Sequence, residues 1–253
     1  MRTPSASELL AVWEHARAQP IARQALILLA TASLDSSGED LAKLSIGRRD
    51  ARLLALREGL FGSRLTGLVA CPQCGQQLEL SVEAADLRTA VDQPVPETLT
   101  ATSEGYRAQF RLPNSEDLAA LDADDGQERD ETTTIRRLLW RCLVEVRRNG
   151  RRQRLDSSRS LPAALIEVIA SEMEKADPQA NVQLDFQCAD CGHRWLSAFD
   201  IVSFLWKEID NWANRVLREV CVLASAFGWR EADILAMSAQ RRQLYLQMIG
   251  DAT

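Results

Sequence analysis

The chain has 253 residues, 46% of them hydrophobic, with 30 basic and 36 acidic side chains and a net charge of −6. That is enough apolar content for a self-sufficient core and too acidic a balance for a nonspecific grip on a polyphosphate backbone. No basic-apolar-small signal-peptide pattern opens the chain, and its densest apolar run, Ala25 to Ala30, is far too short to cross a bilayer, so it reads as cytoplasmic.

Ser5 and Glu8 form an S-x-x-E capping box ahead of Leu9, Val12, Trp13 and Ala16, which share one face of a first helix. Pro20 begins a second. A loop containing DSSGED follows, and then Ile46, Leu53, Leu54, Leu60 and Phe61 fall at helical spacing before Gly62 ends a third amphipathic helix. Leu78 to Val82 alternates as a half-buried strand does, Pro94 and Pro96 break the next loop, and Tyr106 to Leu112 alternates again. Pro113 ends that strand, and Ser115 is the candidate cap of a short helix. The acidic run from Asp122 to Glu131 lacks the D-x-D-x-D-G order of a calcium loop and reads as a solvated loop.

Thr134 to Leu155 passes from helix into strand, turns at Asn149-Gly150, the pair a tight hairpin prefers, and returns. It carries Arg147, Arg148, Arg151, Arg152 and Arg154, the most basic patch in the chain. A helix with Leu165, Val168, Ile169 and Met173 on one side stops before Pro178, and a strand runs from Asn181 into Cys188. From Asp200, a candidate N-cap, Ile201, Leu205, Ile209, Trp212, Val216, Val220, Leu223 and Phe227 recur every three or four residues until Gly228. A short helix at Glu231 to Met237 and a last one opened by Ser238, carrying Leu244, Tyr245, Met248 and Ile249, complete the chain.

Six cysteines are sparse for this length, and four stand as C-x-x-C pairs in CPQCGQQL (Cys71 to Leu78) and CADCGHRW (Cys188 to Trp195). That usage fits metal binding in a reducing compartment better than a disulfide framework. Zinc favours four thiolates in a tetrahedron; a C-x-x-C-G turn supplies two, its amides donating to the sulfurs and its glycine tolerating a left-handed backbone. Each pair has a strand running in and an apolar residue three positions after the glycine, Leu78 or Trp195. The repeat predicts two knuckles facing one another on one structural zinc held by Cys71, Cys74, Cys188 and Cys191. The stretch between them far exceeds zinc-ribbon spacings of about 15–20 residues, so it is an inserted subdomain. Closing so long a loop costs roughly 4 kcal/mol, less than the roughly 10 kcal/mol or more that a structural zinc supplies.

Other uses of the cysteines fit less well. Redox chemistry of the thioredoxin kind needs one C-x-x-C beside a βαβ unit, haem attachment needs C-x-x-C-H, and a catalytic zinc keeps a coordination position open. His193 follows Cys191 too closely to share its metal and reads as an exposed or core-edge side chain. Cys142 and Cys221 lie on apolar helix faces and read as buried packing residues. The sequence has two histidines and lacks G-x-S-x-G, G-x-x-x-x-G-K and G-x-G-x-x-G, which together with a closed metal site favours a structural or interaction protein over an enzyme.

The fold class expected is α+β: mostly helical, with a small antiparallel β platform built around a split, zinc-ribbon-like site of four cysteines and long C-terminal helices. The expected division is an N-terminal helical region (1–66), two knuckles (67–92 and 182–200), an inserted α/β subdomain (93–181) and a C-terminal helical region (201–253).

Taken together, LSIGRRDARLLALREGLFG, CPQCGQQLEL, FRLPNSEDLAAL, DPQANVQLDFQCADCGHRW and the C-terminal pattern W-x-E-I-D-x-W-A … G-W-x-E-A-D-I-L-A-M-S-x-x-R-R resemble the family of T4-type baseplate hub assembly chaperones, encoded with phage-tail-like contractile injection systems. The resemblance runs from about Leu44 to Ile249, and the C-terminal pattern is its most specific part. It implies a non-enzymatic protein of the bacterial cytoplasm that binds other baseplate proteins (hub, spike and wedge) and no small-molecule substrate, with the same four cysteines as its pattern and no catalytic residues. Trp206, Trp212 and Trp229 offer aromatic surface of the kind that dominates interfaces; Trp212 lies on the apolar stripe and reads as core, while Trp206 lies off it and is the first candidate contact. The alternative is a zinc-ribbon nucleic-acid binder using Arg147, Arg148, Arg151, Arg152 and Arg154 against phosphate. The acidic balance and the lack of interleaved aromatics weigh against it.

Overall fold

A computed structural model describes residues 1–33, 38–89, 96–123, 131–153 and 161–250. In chain order the described elements begin with α1 (Ala6–Ala16), α2 (Ile21–Ala32), α3 (Gly38–Ala42), α4 (Ile46–Phe61), β1 (Arg64–Ala70) and β2 (Gln77–Glu83). Next come β3 (Leu99–Ser103), β4 (Tyr106–Phe110), α5 (Ser115–Ala123), α6 (Glu131–Cys142), β5 (Leu143–Arg148) and β6 (Arg151–Arg152). The chain continues through α7 (Ala163–Ala176), a 3-10 turn (Pro178–Asn181), β7 (Gln183–Gln187), β8 (Arg194–Ala198), α8 (Ile201–Phe227), α9 (Glu231–Leu235) and α10 (Ala239–Gly250). The class is α+β, helices dominating over small antiparallel sheets. Among the described residues no helix is long and apolar enough to cross a membrane.

The chain forms two compact units: Met1–Asp35 with Ile201–Thr253, and Ser36–Asp200. The first is helical. Its α1 starts at the expected capping box, with the Ser5 amide donating to Glu8 Oε2 at 2.8 Å and the Glu8 amide to Ser5 Oγ at 3.3 Å. Leu9, Leu10, Val12, Trp13 and Ala16 are buried, and Trp13 Nε1 donates to Asp210 of α8 at 2.8 Å. On α8 the buried stripe is Ile201, Leu205, Ile209, Ala213, Val216, Val220 and Leu223. Ala213 takes the central place expected of Trp212, which sits half-buried at the margin, and Phe227 is 41% exposed. A methyl on the centre line lets packed helices approach where an indole would hold them apart.

Ser238 caps α10, its Oγ accepting from the Arg241 amide at 3.2 Å. Here the apolar spacing misleads: Leu244 and Met248 are 50% and 60% exposed, and the buried side chain is Arg242. Arg242 donates to Glu219 of α8 at 3.0 Å and to the carbonyl of Met237 at 2.8 Å, so α10 docks through a buried ion pair.

The second unit contains an antiparallel sheet in the order β3-β4-β5-β6. One face, with Ala101, Ala108, Phe110 and Val146, packs with Leu139, Cys142, Leu165, Ile169 and Met173 in one core. Asn149 and Gly150 have φ of 49° and 81°, the left-handed pair of a type I′ hairpin. The short helix α5 is capped by Asn114, not Ser115: Asn114 Oδ1 accepts from the Asp117 amide, and Asp117 Oδ2 from the Asn114 amide, both at 3.1 Å. Ser115 lies inside the helix, its Oγ buried without a partner among the described residues. Part of the expected DSSGED loop is helical, as α3; Asp35 to Ser37 lie outside the described residues, as do Pro94, Arg154 and most of the acidic run.

Candidate metal centre

Two hairpins carry the cysteine pairs. β1 and β2 pair from Arg64↔Glu83 to Ala70↔Gln77, which puts Cys71 to Gln76 at the tip. β7 and β8 pair from Gln183↔Ala198 to Gln187↔Arg194, with Cys188 to His193 at theirs. The two tips close by the same hydrogen bonds. Cys71 N donates to Gln76 O at 2.8 Å and Gly75 N to Cys71 O at 2.9 Å; Cys188 N donates to His193 O and Gly192 N to Cys188 O, both at 2.9 Å. Gly75 and Gly192 stand at φ of 76° and 70°, where a side chain is strained, so the glycine after each C-x-x-C is required by the turn.

The tips bring together what is 114 to 120 residues apart in the chain. Cys71 Sγ lies 3.6 Å from Cys191 Sγ, and Cys74 Sγ 3.6 Å from Cys188 Sγ; all four sulfurs fall within 4.8 Å of one another. These separations are far beyond a disulfide bond of about 2.05 Å. They approach the edge of roughly 3.8 Å expected for a tetrahedron with metal–sulfur bonds of about 2.3 Å. The first cysteine of each pair is buried and the second exposed, so the two knuckles present equivalent atoms to a common centre.

Electrostatics follow from crowding four thiols. Burial opposes ionisation of Cys71, but amides of Cys74 and Gln73 donate to its sulfur and bring its pKa down to about 7. The Gln76 amide favours a Cys74 thiolate, yet Cys191, desolvation and the other sulfurs together push it up to about 12; Cys191 is also raised, against the His193 amide. The Cys71 thiolate forms readily, and Cys74 and Cys191 resist adding charge beside it. A cation at the centre reverses that balance, and a soft, closed four-sulfur set suits zinc with no coordination position left open.

His193 stays outside this group. It is half-buried and stacks on Trp195, ring centroids 5.7 Å apart, and Trp195 stacks on Phe186 at 5.3 Å. Cys142 is buried, and desolvation pushes its thiol up to about 12. Cys221 departs from expectation: it is exposed on α8, since the buried stripe passes through its neighbour Val220.

Beyond the knuckles, sequence reasoning missed Arg107. β4 and β5 set it directly opposite Arg147, a neighbour that only sheet register reveals.

A protein-family model described as "T4 bacteriophage base plate protein" matches residues 6–206. The match begins well before Leu44 and takes in both cysteine pairs, while nearly all of the C-terminal pattern lies beyond it. No curated protein and no solved structure matches the chain.

Proposed function

The chain belongs to the T4 bacteriophage base plate protein family, and from that premise we propose that it is a non-enzymatic component or assembly factor of a contractile, phage-tail-like baseplate. It works as a hub assembly chaperone does, by binding hub, spike or wedge proteins in the bacterial cytoplasm, and can remain in the assembled particle. One observation carries the reading: four sulfurs from two distant hairpins converge within 4.8 Å, a donor set that ties a chain together and leaves no position for an activated water. Cys71, Cys74, Cys188 and Cys191 hold a structural zinc, which supplies a fixed joint between the hairpins. The chain's own amides orient the thiolates. Trp206, half-buried on α8, is the first candidate contact.

Elemental analysis of freshly purified protein is expected to find one zinc per chain, lost in a Cys71→Ser/Cys188→Ser variant. In the producing bacterium, the tagged protein is expected to copurify with baseplate proteins, and its deletion to abolish assembled particles. A metal-free protein sinks the zinc assignment. Normal particles in the deletion strain sink the assembly role.

A further inference from the structure

The outward face of the four-stranded sheet goes beyond the zinc and baseplate readings and does not depend on them. In β4 and β5 the inward residues Ala108, Phe110 and Val146 are buried, so Arg107, Gln109, Glu145 and Arg147 alternate to the other side. Cross-strand register sets Arg107 opposite Arg147, and Arg147 opposite Arg152. The hairpin therefore splits the arginines seen in the sequence. Arg147 and Arg152 join Arg107 in a row across three strands, while Arg148 pairs with Arg151 on the alternate register and its guanidinium lies 5.0 Å over the Tyr106 ring.

Like charges directly opposite on a sheet repel, and this row has two such pairs side by side. Glu145 offsets part of it, accepting from Arg147 at 3.0 Å and lying 3.4 Å from Arg152. The Arg107 side chain makes no hydrogen bond or ion pair among the described residues. Arg107, Gln109, Glu145 and Arg147 line a shallow cavity of about 230 Å³.

We propose that this face is a docking surface for an acidic protein segment, whose carboxylates pair with Arg107, Arg147 and Arg152 in place of solvent. Charge complementarity selects the partner. Planar guanidiniums in a row match carboxylates two hydrogen bonds at a time. Glu145, fixed among them, repels a continuous phosphate backbone more than a peptide whose acids are spaced, and no aromatic ring lines the cavity to stack a base.

Fluorescence anisotropy on the full chain tests the proposal. The probes are a fluorescein-labelled ten-residue peptide of alternating glutamate and serine, and a labelled random DNA duplex. At low salt the peptide is expected to bind, and Arg107→Gln/Arg147→Gln to weaken it about tenfold, the loss of one or two charge-assisted hydrogen bonds. A charge-matched Arg23→Gln/Arg218→Gln control leaves the affinity unchanged, and Glu145→Gln tightens it by removing the competing carboxylate. Circular dichroism confirms that each variant is folded. Equal weakening in both double variants, weaker binding by Glu145→Gln, no peptide binding at low salt, or tighter binding of DNA through the same arginines each overturns the proposal.

Discussion

Gly47 shows how one hydrogen atom can matter in a helix. It occupies the first turn of α4, donates its N–H to Asp177 Oδ2 at 2.9 Å, and leaves no room for a methyl group. An added Cβ stands 2.1 Å from Asp177 Oδ1 and 2.8 Å from the backbone nitrogen of Ala180. The carboxylate can rotate, but the main chain cannot. Gly47→Ala is therefore expected to lower stability by about 1–3 kcal/mol through overpacking, despite the better helix propensity of alanine; urea denaturation measures it. Gly38→Ala, with nothing within 4 Å, is the neutral comparison. Asp177 itself carries a pH signature. Burial raises its pKa above the ordinary 3.8, outweighing the Gly47 amide, the Ser45 hydroxyl and Arg48. The fold thus prefers the protonated carboxyl: that contribution is complete below the ordinary value and is lost as pH rises through the raised one. Asp177→Asn keeps an oxygen for Gly47 and cannot ionise. Its stability relative to the parent is expected to increase as pH rises from the ordinary carboxyl value through the raised one, read from urea midpoints at each pH. A constant difference refutes the assignment.

At the level of elements, α10 differs from the other long helices in what it buries. The Glu219–Arg242 pair is nearly inaccessible on both sides, with Gln243 donating to the second Glu219 oxygen at 2.7 Å. Removing Arg242 leaves the buried Glu219 only the Gln243 amide and Arg215 at 3.8 Å, so Arg242→Ala is expected to cost about 3 kcal/mol, the low end for a broken buried pair, whereas exposed Leu244→Ala stays within about 0.5 kcal/mol. Arg242→Met with Glu219→Gln recovers part of the loss, since neither side then strands a charge. Chemical denaturation followed by tryptophan fluorescence separates these outcomes. The same helix marks the limit of what the sequence carries. Caps and spacing are local, so α1, α4, α7 and α8 could be read from Ser5, Gly62, Leu165 and Ile201 onward. Leu244 and Met248 repeat the same spacing, but whether a spaced face is covered depends on a surface far along the chain. Asn114 and Ser115 are both good caps; only the direction of the Asp117 amide chooses between them. The C-x-x-C-G repeat was legible because the turn chemistry is local, and the meeting of its two copies followed from a coordination number of four. Arg107 was not legible, because its neighbours are set by strand register.

For the whole molecule, the four-sulfur cluster closes a loop that contains the four-stranded sheet with α5, α6 and α7. In the unfolded chain such a closure removes about 4–5 kcal/mol of entropy, so an ion held there restrains the unfolded state as well as the hairpins. The inserted region nevertheless has its own core, in which Phe110, Leu165 and Ile169 are fully buried, and nothing in that core requires the sulfurs. The helical unit, Met1–Asp35 with Ile201–Thr253, contains none of the four cysteines. Each hairpin, by contrast, is a two-stranded sheet, and such a sheet is marginal in water by itself. Stripping zinc with a mercurial reagent and a chromogenic chelator is therefore expected to release a single ion per chain and lower the thermal midpoint, while most helical circular dichroism survives. Limited proteolysis of the stripped protein should cut first within residues 64–83 and 183–198, where order depends on the tie. Release of metal with simultaneous loss of the helical signal would mean that the ion holds the core itself, and the clip would then be the foundation of the fold rather than a joint between two hairpins.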